Sequence, residues 1–258
     1  MKKLQNIAFY VVCAMAMLVG FIATERCWKP NEPNFPDMVE QSAKGVVHIQ
    51  CPSWQGSGFV ISEHLIATAR HVVEGVEDFE LTFNCGEKVY ATKAISSKEY
   101  DIGFIWVDSP NLPPALELAS IKDRRLGEQV YILGSPYGKI NFNAVSLGII
   151  SGLNRDWDEV NPYTGERYGW EIAFTSDSAA HPGNSGCPVF SMDGKVRGVL
   201  VGGYSPVLNC SMPCDLFMED VDRIELMFQL DEYQFEKVPV LTYVDDPYYN
   251  EAEDNEYY

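Results

Sequence analysis

The segment HPGNSGCP, residues 181–188, places one serine, Ser185, among residues that favour turns. Taken alone it is a tight loop, since Gly, Asn and Pro serve any tight loop. It becomes a chemical candidate only in company. A serine hydroxyl is a weak nucleophile until an imidazole takes its proton, a carboxylate fixes that imidazole's tautomer, and N–H donors stand where the oxyanion forms. Each of these has a candidate. Glycines flanking Ser185 allow the backbone angles that aim successive N–H groups at one point, so Gly183 and Ser185 are the expected donors. His71 follows the run LIATAR and precedes VVEG, at the end of a strand, where a lone histidine is more often structural than catalytic. Asp101 opens DIGFIWV, a carboxylate at the mouth of a strand that should be buried, and a carboxylate that orients a histidine needs such burial.

Groups this far apart in sequence need short rigid elements to bring them together. After a short helical stretch around Met38–Ala43, about residues 44–115 carry six β-type runs, GVVHIQC, GSGFVIS, LIATAR, FELTFN, VYATKAIS and DIGFIWV, ending at the breaker SPNLPP. Six strands suit a small closed barrel. About residues 120–218 repeat the style with EQVYILGS, NAVSLGIISGL, WEIAFTS, CPVFS, KVRGVLVGGYS and a weak strand near Cys214–Met218. Met192-Asp193-Gly194 between two apolar runs is a hairpin signal. The run EDVDRIELMFQL, residues 219–230, puts Val221, Ile224 and Phe228 on one helical face with acids in its first turn, which predicts a closing helix. The expected fold is all-β: two lobes and a C-terminal helix.

The ends of the chain differ from its middle. Lys2 and Lys3 precede an uncharged apolar run of 17 residues, Ile7 to Ala23, which reads as an export signal or membrane anchor. The run is near the lower limit for a spanning helix and no clean cleavage site follows it, which favours an uncleaved anchor with Lys2 and Lys3 inside and the rest of the chain outside. Thr24, Glu25 and Arg26 before Cys27 disfavour a lipoprotein. Residues 1–27 are therefore read as signal anchor or signal peptide, 28–37 as a Pro- and Asn-rich linker, 38–230 as the functional domain and 231–258 as an acidic, Tyr-rich solvated tail. That tail could instead bind a cationic partner or occupy the protein's own cleft.

A net charge of −18 excludes a nucleic-acid partner, because neutralising a phosphate backbone needs a basic face. Six of the seven cysteines lie outside the apolar run, and an even set in an exported chain suggests disulfides. Cys51–Cys85 would link the flanks of the His71 segment, and Cys210–Cys214 would be local. Their spacings give no CxxC pair and no histidine doublet, so neither a metal nor another cofactor is expected.

The segments GSGFVIS (56–62), ATARHVVEG (67–75), DIGFIWV (101–107), LGSPYG (133–138), SLGIISGLNR (146–155), SDSAAHPGNSGCPVF (176–190) and GKVRGVLVG (194–202) resemble the HtrA/DegP-like trypsin-fold serine proteases in order and spacing. The resemblance spans about residues 38–230. It implies two perpendicular six-stranded antiparallel barrels with the active site in the cleft between them, and an endopeptidase needing no cofactor. It implies Ser185 as nucleophile, His71 as general base then acid and Asp101 as its orienter. Gly183 and Ser185 would supply the oxyanion hole. Substrate-binding positions would be Ser178, Ala179, Ala180 and His181 at the primary pocket and Leu200, Val201, Gly202 and Gly203 along the edge that pairs with an extended peptide. Asp177 matches a position that is not a cation-binding acid, so cleavage after small or medium apolar residues is expected.

Two departures from the resemblance stand out. Cys187 replaces a glycine and must either fit a small gap or join a disulfide; His181 replaces an asparagine and either tunes the mouth of the cleft or, the favoured reading, substitutes for a turn residue. With fewer than thirty residues after the closing helix, the PDZ domain common in the family is not expected. The alternatives to an active enzyme are a protease-like binding protein, with Cys187 as its support, and a peptide-holding chaperone.

Overall fold

The computed structural model describes residues 34–109, 112–160 and 167–230 and the single residue Met15; the rest of the expected anchor, most of the linker and the tail lie outside the described residues. Two compact units are distinguished, Met1–Met38 and Val39–Tyr258. Asn34 caps a helix, Phe35–Ser42, by accepting the Asp37 N–H at 3.0 Å, so the helix starts three residues ahead of the expected Met38. Among the described residues no helix is long and apolar enough to cross a membrane.

In the larger unit β1 (Val46–Gln50), β2 (Gln55–Val60), β3 (Leu65–Thr68), β4 (Phe79–Phe83), β5 (Lys88–Ala91), β6 (Lys93–Ser96) and β7 (Gly103–Trp106) form one antiparallel sheet. Their order is β5-β4-β1-β2-β3-β7-β6. Only Thr92 separates the two outermost strands, so the run VYATKAIS bends once, pairing with β4 through its first half and with β7 through its second. The sheet is thus a seven-stranded half-barrel that stays open, in place of the expected closed six-stranded barrel, because that bend splits one expected strand in two. Val47, Ile49, Leu81, Ile66 and Ile105 share one face by register and are fully buried inside it. The β7 end of the opposite face is apolar and covered: Phe104 meets Phe217 edge-on at 5.4 Å, and Trp106 stacks on Phe228 of the closing helix Val221–Gln229 at 5.5 Å. Burying each such ring contributes about 1.5–3 kcal/mol.

β8 (Gln129–Gly134), β9 (Ala144–Val160), β10 (Arg167–Ser176), β11 (Pro188–Ser191), β12 (Val196–Ser205) and β13 (Leu208–Pro213) close a second barrel in the order β10-β13-β12-β11-β8-β9. Its core joins Val130, Ile132, Ile150, Phe174, Val189 and Leu200. The sixth strand is not the expected one near Cys214–Met218: Cys214–Leu216 forms a 3₁₀ turn, and the strand lies at Leu208–Pro213. Its Asn209 and Ser211 hide it in the sequence, yet both are buried and take their place between β10 and β12.

Neither expected disulfide forms. Cys51, Cys85 and Cys214 are free thiols. Gln50 is paired with Glu80 and Val47 with Phe83 in antiparallel register, so Cys51 and Cys85 leave opposite ends of the β1–β4 pair. That is about 20 Å of strand, far beyond the roughly 7 Å that a disulfide spans between Cα atoms. Cys210 lies in the extended β13 and Cys214 beyond its end, which separates them by more than a bridge allows.

Candidate active site

His71 lies not at the expected strand end but in a four-residue helix, Arg70–Val73, that begins after Ala69, one residue beyond β3, and stops as Gly75 turns the chain with φ +72°. Asp101 ends the loop before β7. Its loop is closed by Ser97 N–H donating to Ile102 O at 2.8 Å. One carboxylate oxygen lies 2.7 Å from His71 Nδ1, and the other accepts the His71 backbone N–H at 3.0 Å. Asp101 is 3 % exposed while the His71 side chain is 39 % exposed, so the pair has a dry end and an open end. With Nδ1–H donating to the carboxylate, the Nε2 lone pair is the basic end of the ring. Gly103 makes the approach possible: a Cβ there would lie 2.5 Å from Val73 Cγ2 and 3.2 Å from Ala69 O.

Ser185 lies in a loop whose bonds are almost all backbone. Asn184 N–H donates to His181 O at 3.0 Å, Cys187 N–H to Asn184 O at 2.9 Å and Gly186 N–H to Leu200 O at 2.7 Å. Barrel one reaches into it. Ser57 N–H donates to Ser185 O at 2.8 Å, and Ser57 Oγ donates to Gly183 O at 2.8 Å while accepting Ser135 N–H at 3.0 Å. Gly186, at φ +87°, lies where a Cβ would run into Ser57 O and Thr68 Oγ1 and come within 3.0 Å of Ala69 N. The Ser185 loop therefore abuts the residues that lead into His71.

The Pro182 carbonyl accepts Tyr137 N–H at 2.7 Å. In a trans peptide C=O and N–H point in opposite directions, so Gly183 N–H is directed away from Tyr137. Among the described residues neither Gly183 N–H nor Ser185 N–H has an acceptor.

The other expected positions fall around this loop. Ser178 is buried and Ala180 half-buried, whereas Ala179 is exposed. Asp177 holds Ile149 N–H with its carboxylate at 2.7 Å. Leu200 gives both backbone groups to the loop, its N–H to Cys187 O at 2.9 Å, and beyond it Val201, Gly202 and Gly203 run on past β11, with β13 as the strand partner of Gly202 and Gly203 on the other side. His181 closes a turn through its carbonyl, which accepts Asn184 N–H, and its side chain also has a partner: Nδ1 lies 3.1 Å from Tyr137 Oη and the rings stack at 5.2 Å. Cys187 fits the gap. It is fully buried in the barrel-two core opposite Gly134, whose absent side chain makes the room, and burial pushes its thiol far above the usual range, so it stays protonated.

Sequence reasoning misses Ser57, Tyr137 and Arg70. Ser57 lies hidden in GSGFVIS, where a polar residue within a strand is unremarkable. Arg70 leaves a signal, a lone charge interrupting an apolar run immediately before His71. Among the described residues no cluster of His, Cys, Asp and Glu could hold a metal ion.

The profile of the trypsin-like peptidase domain matches residues 56–199. A probable periplasmic serine endoprotease DegP-like of Halomonas elongata is 35% identical over 176 residues, covering 66% of this chain and 35% of the relative. Serine protease HTRA1B of Danio rerio is 31% identical over 216 residues, covering 76% and 44%. The chain thus spans about a third to under half the length of these relatives. Among solved structures, the HtrA-type protease AlgW with tripeptide superposes with a TM-score of 0.63 at 24% identity, covering 74% of this chain and 64% of that one, a likeness of fold. The Rv3671c protease of M. tuberculosis, active form, gives 0.60 at 25% identity, covering 72% and 82%. This chain belongs to the trypsin-like peptidase domain family, and within it is similar to HtrA/DegP-like proteases.

Proposed function

We propose that the chain is a serine endopeptidase with Ser185 as nucleophile, His71 as general base then acid, and Asp101 as the group that orients His71. The observation that carries this reading is the two-point hold of Asp101 on His71, 2.7 Å to the ring and 3.0 Å to the backbone N–H. Ser185 Oγ bonds to the scissile carbonyl carbon as His71 Nε2 takes its proton, and the carbonyl electron pair moves to the oxygen facing Gly183 and Ser185 N–H. Collapse expels the amine, which leaves with the proton from His71. Water then repeats the attack on the acyl-enzyme and restores Ser185.

The substrates are proteins or peptides. A relative of the same fold was solved with a tripeptide, and the stretch Val201–Gly203 suits pairing with an extended chain. Ser178, Ala179 and Ala180 offer no charge to a substrate side chain, which suits small or medium apolar residues. The H. elongata relative is named periplasmic, which supports a place outside the cytoplasm for residues 38–230, and Lys2 and Lys3 before the apolar run favour their attachment through the N-terminal segment. The buried place of Cys187 in the barrel-two core gives no specific support to an inactive binding protein.

A fluorophosphonate probe tests the reading. The folded chain should label, and the label should vanish in Ser185→Ala and His71→Ala. Folded protein that never labels would overturn the enzyme in favour of a protease-like binder.

A further inference from the structure

A guanidinium is costly to bury unless its donors are matched, and Arg70, the residue before His71, is only 5 % exposed. Its Nη1 donates to Ser97 O and to Lys98 O, each at 3.1 Å. Its Nε lies 3.6 Å from the Glu74 carboxylate, one helical turn on, which balances the charge. Ser97 and Lys98 open the loop that ends in Asp101. That loop is a closed unit, because Ser97 N–H donates to Ile102 O and Ser97 Oγ accepts Tyr100 N–H at 3.1 Å and Glu99 N–H at 3.2 Å. It therefore moves as one piece, and Arg70 fastens that piece to the helix bearing His71.

We propose that Arg70 is a positioning residue for the triad, setting the angle and distance at which Asp101 meets His71 by clamping the two carbonyls at the start of the Asp101 loop. The proposal rests on the endopeptidase reading. The Cα atoms of Arg70 and His71 are about 3.8 Å apart, as in any trans peptide, so a loop held by Arg70 is held relative to the imidazole. Space-filling alone would be served by an apolar side chain of similar length. Two donors from one nitrogen on successive carbonyls are what an apolar side chain lacks.

The test compares Arg70→Met, which keeps length and loses the donors, with Arg70→Lys, which keeps the charge but not the planar fork. Fluorophosphonate labelling of the full chain gives kinact for the chemical step and KI for binding. Displacing Asp101 by about 1 Å should lower kinact of Arg70→Met roughly 100-fold, with KI within about threefold. Arg70→Lys should fall between it and the parent, about tenfold down. The downfield Nδ1 proton resonance of His71 should shift or broaden in both variants. Parent-like kinact in Arg70→Met, a raised KI with kinact unchanged, or an unaltered His71 resonance overturns the proposal. Should Arg70→Met fail to fold, Arg70→Lys decides: reduced kinact with an altered resonance supports the clamp, and parent-like values for both overturn it. A parent chain that never labels removes the endopeptidase reading instead, so the two failures are distinct.

Discussion

The two halves of the site are built by different means. On the barrel-one side the Asp101 side chain holds His71 with both carboxylate oxygens, one on the ring and one on the backbone N–H. On the barrel-two side Ser185 is set by backbone bonds, by positive φ at Gly183 and Gly186, and by Ser57 reaching across from the other barrel. A side-chain contact can be cut by one substitution while the fold stands. A loop held by its backbone changes only when a residue serving that backbone changes, and stability goes with it.

Asp101→Asn gives the sharpest contrast. An amide N–H donating to Nδ1 would reverse the tautomer and remove the base, lowering the labelling rate on the order of 10⁴-fold with little change in Tm. If Tm fell in step with activity, the histidine half would be as structural as the serine half.

Ser57→Ala comes next. It leaves the buried Gly183 carbonyl without its Oγ donor and Ser135 N–H without an acceptor. Stability should fall about 1–3 kcal/mol, a Tm loss of roughly 2–12 °C by thermal melt, and labelling should slow with it. Lost labelling at unchanged Tm would break the comparison.

The smallest effect concerns His48, which faces Ser57 across the β1–β2 pair. It is 1 % exposed, neither ring nitrogen has a partner among the described residues, and its ring lies 6.2 Å from Phe142. Burial first, then Lys139, lowers its pKa below 6.5, with Glu80 and Gln50 opposing. As pH falls past 6.5 the unfolded chain takes the proton before the folded one, so stability is full above that pH and declines below it. Urea unfolding from pH 7 downwards should show a slope of at most about 1.4 kcal/mol per pH unit from this residue, and His48→Gln should flatten it. An equal slope in both proteins would exclude His48 as its source.

What is legible in the sequence follows local rules. The six runs of barrel one, the closing helix on Ile224 and Phe228, and the glycines around Ser185 each declare themselves through neighbours in the chain. β13 does not, because Ser176 Oγ, donating to Asn209 Oδ1 at 2.7 Å, makes a polar residue acceptable inside a core, and that partner belongs to another strand. The supposed Cys51–Cys85 bridge fails for the same kind of reason, since pairing register decides which ends meet.

The sequence by itself determines which residues stand near strand ends, which loop can adopt positive φ, and which side chains carry the chemistry of a hydroxyl, an imidazole and a carboxylate. Only the tertiary structure decides that Asp101 reaches His71 across 30 residues, that Ser57 holds the Ser185 loop, and that Arg70 is buried against Ser97 and Lys98. Backbone propensity and side-chain chemistry act within a few residues of chain, whereas hydrogen bonds and burial act between whatever surfaces folding brings within a few ångströms.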